Sequence, residues 1–279
     1  MDIVTGAEKM QKITCELCKK NKTIGFVPTM GALHEGHLKL VRESKAKNDV
    51  TVVSIFVNPT QFSPNEDLTK YPRPFEQDKK LLSKEKVDYL FYPNTKTVYP
   101  AGFQTYVTAK KLANIVEGKI RPGHFSGVAT VVLKLFNLVQ PANAYFGQKD
   151  FQQCIVIKQM VRDLNLPINI NVIPTVRNKD GLALSSRNIF LNTQERSQAL
   201  NLYQSLLLAK KLIAEENKSV EFIKTKMKNY LQKYKLVRVD YIEICNPESV
   251  SPVKIVTKKA VILIAAFVGK TRLIDNIII

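Results

Sequence analysis

The sequence lacks the apolar segments of membrane and secreted proteins. In a chain of 279 residues the longest purely apolar run covers residues 260–268, whereas a transmembrane helix needs about 20 residues. The N-terminal residues have neither the basic start nor the apolar run of a signal peptide. The chain is 45% hydrophobic and can bury a substantial core. We therefore expect a globular, cytoplasmic protein that contacts no membrane.

Motifs of several function classes are also absent. Four cysteines do not make a disulfide framework at this length, and Cys15-Glu-Leu-Cys18 has no second pair, so a metal or redox role is disfavoured. No Gly-x-Gly-x-x-Gly occurs, which removes the main sequence argument for NAD or FAD. Residues 31–36 have the glycine spacing of a P-loop, but His37-Leu38 follows where Lys and Ser or Thr are required.

Acidic residues are few relative to basic ones. The chain has 24 Asp and Glu against 42 Lys and Arg, a formal net charge of +18, and such a balance can attract polyanions. However, lysine far outnumbers arginine and is scattered along predicted solvent faces, whereas phosphate and base recognition favours arginine. We expect no nucleic-acid partner, and a basic nucleic-acid-binding protein remains the alternative from another class.

What the sequence does contain is a regular alternation of strands and helices in its first part. Apolar strands alternating with helices of this length are typical of a parallel sheet covered on both faces. The predicted strands are 23–27, 50–57, 144–147 and 168–174, and the predicted helices are 36–47, 74–86, 126–140 and 150–164. We predict a Rossmann-like, doubly wound α/β domain over residues 1–175.

The pattern changes after about residue 175. Long amphipathic helices are predicted over 193–215 and 220–233, and strands over 238–245 and 260–268, without a parallel βαβ rhythm. We predict a smaller α+β domain over residues 176–279, with a loop at its start.

His34-Glu-Gly-His37 is the most informative motif. Two of the three histidines of the chain lie here, where a strand gives way to a helix, and three residues apart they share one helix face. Helix N-termini favour anions, and paired imidazoles could hydrogen-bond a phosphate. A zincin would need one more residue between the histidines. The alternative is a surface pair, or a buried histidine with a satisfied partner.

Two further polar turns precede or follow apolar segments. Asn58 and Gln61 follow the second predicted strand, where a polar substrate would bind, and their amides suit hydroxyl and carboxylate groups. Arg121 and His124 precede an apolar helix and suggest anion binding. An ordinary Asn-Pro turn, and a plain N-cap at Ser126, are the alternatives.

Two more candidate segments lie later in the chain. After Gly147, Lys149 could reach a phosphate, while Asp150 could cap the helix or face Mg²⁺. Residues 184–187 hold two hydroxyls and an arginine in a loop that could close over a triphosphate, although such loops are also common as linkers.

Together these segments closely resemble pantothenate synthetases, the AMP-forming pantoate:β-alanine ligases of the HIGH-motif nucleotidyltransferase superfamily. The matching segments are 28–37, 56–62, 71–73, 121–128, 147–153 and 184–188, in the order of the family. The resemblance implies condensation of pantoate with β-alanine to pantothenate through a pantoyl adenylate, with ATP and Mg²⁺, by a homodimer. A nucleotidyltransferase acting on a phosphorylated acceptor is the alternative within enzymes.

The resemblance also implies residue roles. His34 and His37 would stabilise the α-phosphate, with His37 as proton donor. Gln61, Gln153 and Asn58 would bind pantoate, and Gln61 would also contact β-alanine. Asp78 is a weak candidate for Mg²⁺, because Gln77 stands where the family tends to have an acid. The implied ATP-binding residues are Met30, Gly31, Ala32, Leu33, His34, Glu35, Gly36, His37, Gly147, Gln148, Lys149, Asp150, Val176, Leu184, Ser185, Ser186 and Arg187.

Overall fold

The structure, a computed structural model, describes residues 1–63, 68–257 and 259–279. The chain divides into two compact units. The first comprises Met1–Gln148 and Gln152–Pro174, and the second comprises Lys149–Phe151 and Thr175–Ile279. No helix in these described ranges is long and apolar enough to cross a membrane.

The first unit is built on a six-stranded parallel sheet. Its strands are β1 (Asp2–Val4), β2 (Ile24–Thr29), β3 (Val50–Ile55), β4 (Tyr89–Phe91), β5 (Asn143–Gly147) and β6 (Asn169–Ile173). Their order is β1-β4-β3-β2-β5-β6, and every neighbouring pair is parallel. The predicted doubly wound α/β fold is therefore confirmed. β1 and β4 were not predicted from the sequence, since three residues are too few to show a periodicity.

Seven helices connect these strands in the described part of the first unit. They are α1 (Ala7–Lys19), α2 (Glu35–Lys47), α3 (Phe75–Lys84), α4 (Thr95–Val98), α5 (Glu117–Ile120), α6 (His124–Val139) and α7 (Phe151–Asp163). The boundaries of the longer ones lie within two residues of those predicted, apart from α1, for which no range was predicted. The apolar α6 is mostly buried, and its Phe136 packs edge-on against Phe26 of β2.

The central strand β2 is paired unequally on its two sides. β2 pairs with β3 along its whole length, through Thr29, but pairs with β5 only at Gly25 and Phe26. From β2 the chain proceeds outward through β3 and β4, and then returns to β5 on the other side. The strand order thus reverses between β2 and β5, and such a switch point is where doubly wound sheets bind ligands beyond their carboxyl ends.

The second unit pairs an antiparallel sheet with two helices, which confirms the predicted α+β class. Its strands are β7 (Val237–Cys245), β8 (Val261–Val268) and β9 (Thr271–Ile278), and its helices are α8 (Thr193–Ala214) and α9 (Val220–Leu231). Apolar side chains of both helices and of the sheet form one buried cluster. β9 was not predicted from the sequence, because polar Asp275 and Asn276 are buried in it and interrupt its apolar pattern.

A polar network fixes the amino end of the sheet in the first unit. Ser44 on α2 hydrogen-bonds Thr51 at 2.9 Å, and the Asn48 amide donates to the Tyr145 hydroxyl at 2.9 Å. Gly25 lies against this network: a Cβ there would meet the Asn48 amide nitrogen at 2.5 Å and the Ser44 hydroxyl closer still. Only glycine lets α2 approach β2 this closely.

Gly25→Ala should therefore destabilise the first unit. Forcing a methyl group into this packed contact should lower the free energy of unfolding by about 1–3 kcal/mol. Urea unfolding measures the change. Gly6→Ala is the matched control, since its Cβ would come no nearer than 3.9 Å to the Lys9 Cβ. Equal unfolding midpoints for the two variants would contradict the prediction.

Candidate active site

The turn after β2 carries the two histidines into α2. Gly31 and Ala32 both have positive φ, 82° and 49°, and reverse the chain between the strand and the helix. His34 is extended and is the N-cap of α2, and His37 lies in the first turn. The helix thus begins at Glu35, one residue before the predicted start at Gly36.

The backbone fixes the tautomer of both rings. The Gly36 N–H donates to His34 Nδ1 at 3.2 Å, and the His34 N–H donates to His37 Nδ1 at 3.3 Å. Because each Nδ1 accepts, each neutral ring carries its proton on Nε2. The ring centroids are 4.1 Å apart and the ring planes are tilted by 34°. Two N–H donors therefore stand side by side at a helix N-terminus, an arrangement suited to an anion.

Glu35, between the histidines, points to a different partner. Its carboxylate pairs with Arg42 on the exposed side of α2, and Arg42 also pairs with Glu85. The side chain of Glu35 is thus committed to a surface ion network.

Asn58 and Gln61 form a tight turn beyond β3. The Asn58 amide donates to Gln61 Oε1 and to the Gly127 carbonyl, both at 3.1 Å, and its own Oδ1 accepts from the Tyr99 hydroxyl at 2.8 Å. Asn58 is 1% exposed. The Gln61 amide nitrogen lies 3.1 Å from Met30 Sδ, at the end of β2. The structure thus places Asn58 behind Gln61 as its brace.

Arg121 and His124 also brace this turn. His124 Nδ1 lies 2.8 Å from the Gln61 carbonyl, which can only accept, so His124 carries its proton on Nδ1. Its Nε2 therefore accepts from the Arg121 guanidinium at 3.1 Å. In the structure both residues contact the Gln61 carbonyl or each other, and the anion-binding role expected from the sequence stays a prediction.

The last candidates of the first unit follow β5. Gly147 ends the strand, and Gln148 begins a 3-10 turn that leads into α7. On α7, Gln152 is buried, with its amide bonded to the backbone of Glu117, Leu112 and Ile115. Its neighbour Gln153 is only partly buried. Gln152 thus has a structural role, and Gln153 is the candidate for substrate binding.

In the second unit the candidate loop is carried by a short hairpin. Leu184 N–H donates to the Val176 carbonyl at 3.0 Å, and Arg177 forms a bridge with Ala183. The loop that follows contains Ser185, whose hydroxyl accepts from the Arg187 N–H at 3.3 Å and caps a 3-10 helix at Ser186–Phe190.

An ion pair that the sequence analysis missed anchors this hairpin to the sheet. Arg177 binds the Asp275 carboxylate of β9 through two N–H groups, at 2.6 and 2.8 Å. The guanidinium carbon lies 3.7 Å from the centre of the Tyr203 ring, and a third bond reaches the Gly181 carbonyl. Lysine could not replace Arg177 here, because only a guanidinium combines two bonds to one carboxylate with stacking on an aromatic ring.

Lys149 and Asp150 also belong to the second unit. The Asn276 side chain, next to Asp275, donates to the Lys149 carbonyl at 2.9 Å. The Lys149 ammonium lies 3.6 Å from the Asp150 carboxylate. β9 therefore holds both the candidate loop and the candidate phosphate-binding lysine.

A family model for pantoate-beta-alanine ligase matches residues 2–278. The chain belongs to the pantoate–β-alanine ligase family. The resemblance found in the sequence motifs is therefore confirmed, together with the ligase class. The alternative of a nucleotidyltransferase acting on a phosphorylated acceptor is not favoured.

Relatives in this ligase family match the whole chain. The pantothenate synthetase of Caldicellulosiruptor saccharolyticus is 56% identical over 279 residues, covering 100% of this chain and 99% of the relative. That of Thermotoga petrophila is 53% identical, covering 100% of both chains. The crystal structure of pantothenate synthetase from Thermus thermophilus has a TM-score of 0.93 at 42% identity and 99% coverage of both chains.

A second solved structure contains ligands. It is a pantoate-beta-alanine ligase from Francisella tularensis in complex with beta-gamma ATP and beta-alanine. Its TM-score is 0.81 at 40% identity, covering 99% of this chain and 97% of that one.

The described residues of this ligase do not form a metal cage. Among residues 1–63, 68–257 and 259–279, no group of three or more His, Cys, Asp or Glu side chains could hold a metal ion. Asp78, the weak candidate, is 1% exposed, and its two oxygens accept the N–H groups of Ala32 and Leu33, each at 2.8 Å.

Asp275→Ala should destabilise the second unit of the ligase. The partly buried Arg177 would lose the buried carboxylate that pairs with it, which should lower the free energy of unfolding by about 3 kcal/mol. Glu215→Ala is the matched control, because it breaks an exposed pair with Lys211 at 3.8 Å, worth at most about 0.5 kcal/mol. Denaturant unfolding compares them, and equal losses would contradict the anchoring role of Asp275.

Proposed function

We propose that this ligase activates pantoate as an acyl adenylate before the amine attacks. A carboxylate does not acylate an amine at neutral pH, because its oxygen is a poor leaving group. Attack of the pantoate carboxylate on the α-phosphorus of ATP expels pyrophosphate and converts that oxygen into part of a good leaving group. The amine of β-alanine then attacks the acyl carbon, and AMP leaves.

The paired histidines carry this proposal. Their two Nε2–H donors stand at the N-terminus of α2, beside the switch point of the sheet. Negative charge that develops on the α-phosphate would be stabilised by donors already fixed in place. We assign His34 and His37 to the α-phosphate, with His37 as the proton donor, and the backbone of residues 30–36 to the nucleotide.

Two other segments are assigned to the remainder of ATP. Gly147 and Gln148 lie at the carboxyl end of β5, across the switch point from the histidine turn. By the family resemblance we assign Lys149, Ser185, Ser186 and Arg187 to the β- and γ-phosphates, and Asp150, Val176 and Leu184 to the rest of the nucleotide. Mg²⁺ carried by ATP would neutralise the departing pyrophosphate.

Pantoate is assigned to the amides near the ends of β3 and β5. Gln61 is held by Asn58, Arg121 and His124, so its side chain meets a polar acid in a preset position. Gln153 is partly buried on the first turn of α7. β-Alanine would lie near Gln61, next to the acyl carbon it attacks. Holding these pairs of reactants in line can be worth about 7–11 kcal/mol.

The assembly and location of the enzyme are part of the proposal. We expect a cytoplasmic homodimer with pantoate, β-alanine and ATP as its small-molecule partners, as the family resemblance implies. Closure of the loop at 184–187 would keep water from the adenylate.

Exchange of labelled pyrophosphate into ATP tests the first half-reaction. The assay contains Mg²⁺ and no amine, and is run with and without pantoate. The proposal predicts exchange only when pantoate is present. A folded, ATP-binding sample without pantoate-dependent exchange would contradict it, and transfer of the nucleotide to a phosphorylated acceptor would favour the other enzyme class.

His37→Asn separates the chemical role of His37 from its structural one. Asn can still accept the His34 N–H through its side-chain oxygen, but it has no donor at the position of Nε2. Exchange should fall about 10²-fold or more while the unfolding midpoint stays near that of the wild type. His37→Gln, which places an amide donor near that position, should retain more activity than His37→Asn. Equal exchange by His37→Asn and wild type would refute this assignment.

Gly127→Ala should impair pantoate binding selectively. A Cβ on Gly127 would lie 2.6 Å from the Thr60 carbonyl carbon and 2.7 Å from the Gln61 nitrogen. The turn that presents Gln61 must therefore shift, and the KM for pantoate should rise about 10-fold or more. The KM for ATP should change little. Ser126→Ala on the same helix is the control, and an unchanged pantoate KM in Gly127→Ala would count against the assignment of Gln61.

A further inference from the structure

The turn that delivers His34 to α2 adopts an unfavourable backbone conformation. Gly31 and the non-glycine residue Ala32 both lie in the left-handed region, at φ 82° and 49°. A side chain disfavours this region, so surrounding contacts must hold Ala32 there. Their identity determines how firmly the histidine pair is positioned.

Side chains bind the N–H groups of three successive residues in this turn. The Gly31 N–H donates to the Thr29 hydroxyl at 3.2 Å. The N–H groups of Ala32 and Leu33 donate to the two oxygens of Asp78, each at 2.8 Å. These N–H groups precede the N-cap His34, so no bond within α2 could bind them. The turn therefore depends on one carboxylate from α3.

Asp78 is built into the interior for this contact. It is 1% exposed, and the Gly31 position leaves room for it, since a Cβ there would lie 3.0 Å from Asp78 Oδ2. Burial raises the pKa of Asp78, while the hydrogen bonds from Leu33 and Ala32 act in the opposite direction. A buried charge is costly unless it is hydrogen-bonded, and the two N–H groups supply those bonds.

We propose that Asp78 is a positioning residue for the adenylation step. Its carboxylate holds the turn at Gly31–Leu33 in the left-handed conformation, and so fixes His34 as the N-cap and sets the two Nε2–H donors. The proposal rests on the proposed function for the role of those donors. Asp78 acts on the reaction through the histidines and not through a metal ion.

Asp78→Asn is the first variant to test. Asparagine has the same shape, but its NH₂ group replaces one acceptor and would face a backbone N–H. Pantoate-dependent pyrophosphate exchange should show a kcat lowered about 10-fold or more, with the KM for pantoate unchanged because Gln61 is held by a separate network. The wild type, assayed alongside, tests the proposed function itself.

Histidine NMR gives a readout independent of activity. With three histidines in the chain, ¹⁵N-histidine labelling yields few signals, and the structure predicts Nε2–H tautomers for His34 and His37 but Nδ1–H for His124. Asp78→Asn should shift the ¹⁵N signals of His34 and His37 and leave His124 as an internal reference. Unchanged signals together with wild-type kcat in a folded variant would overturn the proposal.

Two further measurements separate positioning from other roles. Asp88→Asn is the matched control. Asp88 also accepts a backbone N–H, from Thr51 at 2.8 Å, but it contacts β3 and not the histidine turn. The kcat of Asp88→Asn should therefore match that of the wild type.

The Mg²⁺ concentration for half-maximal exchange should be the same in Asp78→Asn as in the wild type. A raised Mg²⁺ requirement would overturn the proposal in favour of a metal ligand.

A second substitution keeps the test informative if Asp78→Asn folds poorly. Ala32→Gly removes the side chain that disfavours the left-handed conformation, so the double variant Ala32→Gly, Asp78→Asn should be more stable and show faster exchange than Asp78→Asn alone. Absence of any recovery in a folded double variant would overturn the proposal.

Discussion

The site depends on one constraint in the sheet: β2 leaves β5 after two paired residues but stays with β3 through Thr29. β2 therefore leads into the histidine turn without a strand partner on one side, at the point where the strand order reverses. The N-terminus of α2 and the carboxyl end of β5 both lie at this switch point. The turn beyond β3 carries Asn58 and Gln61, which belong to the proposed pantoate site. One sheet thus carries the proposed sites for nucleotide and acid.

Hydrogen bonds to the backbone determine which ring nitrogen of each histidine carries the proton. In His34 and His37, Nδ1 accepts from the backbone and Nε2 carries the proton; in His124, Nδ1 donates to Gln61 and Nε2 accepts from Arg121. Histidine thus provides a pair of fixed donors at the start of α2, and at position 124 it braces the Gln61 turn. Such preorganisation matters because donors already in place need no rearrangement as charge develops on the phosphate.

The sequence was sufficient for the family and the sheet class, because both rest on local patterns. It was not sufficient for the partners of the candidate side chains. Asp78 meets Leu33 across 45 residues, His124 meets Gln61 across 63, and Arg177 meets Asp275 across 98. Only the folded chain pairs them, so the sequence did not reveal that Arg121 and His124 brace the Gln61 turn. β1 and β4 were missed because three residues show no periodicity, and β9 because buried polar residues interrupt it.

The central claim is that an oxygen of pantoate becomes bonded to the α-phosphorus of ATP. Pantoate labelled with ¹⁸O in both carboxylate oxygens tests this directly during complete turnover with β-alanine and ATP. The account predicts that the AMP released carries a single ¹⁸O atom and that pantothenate retains the other. AMP without the label, with ¹⁸O found in phosphate or pyrophosphate, would contradict activation through an acyl adenylate.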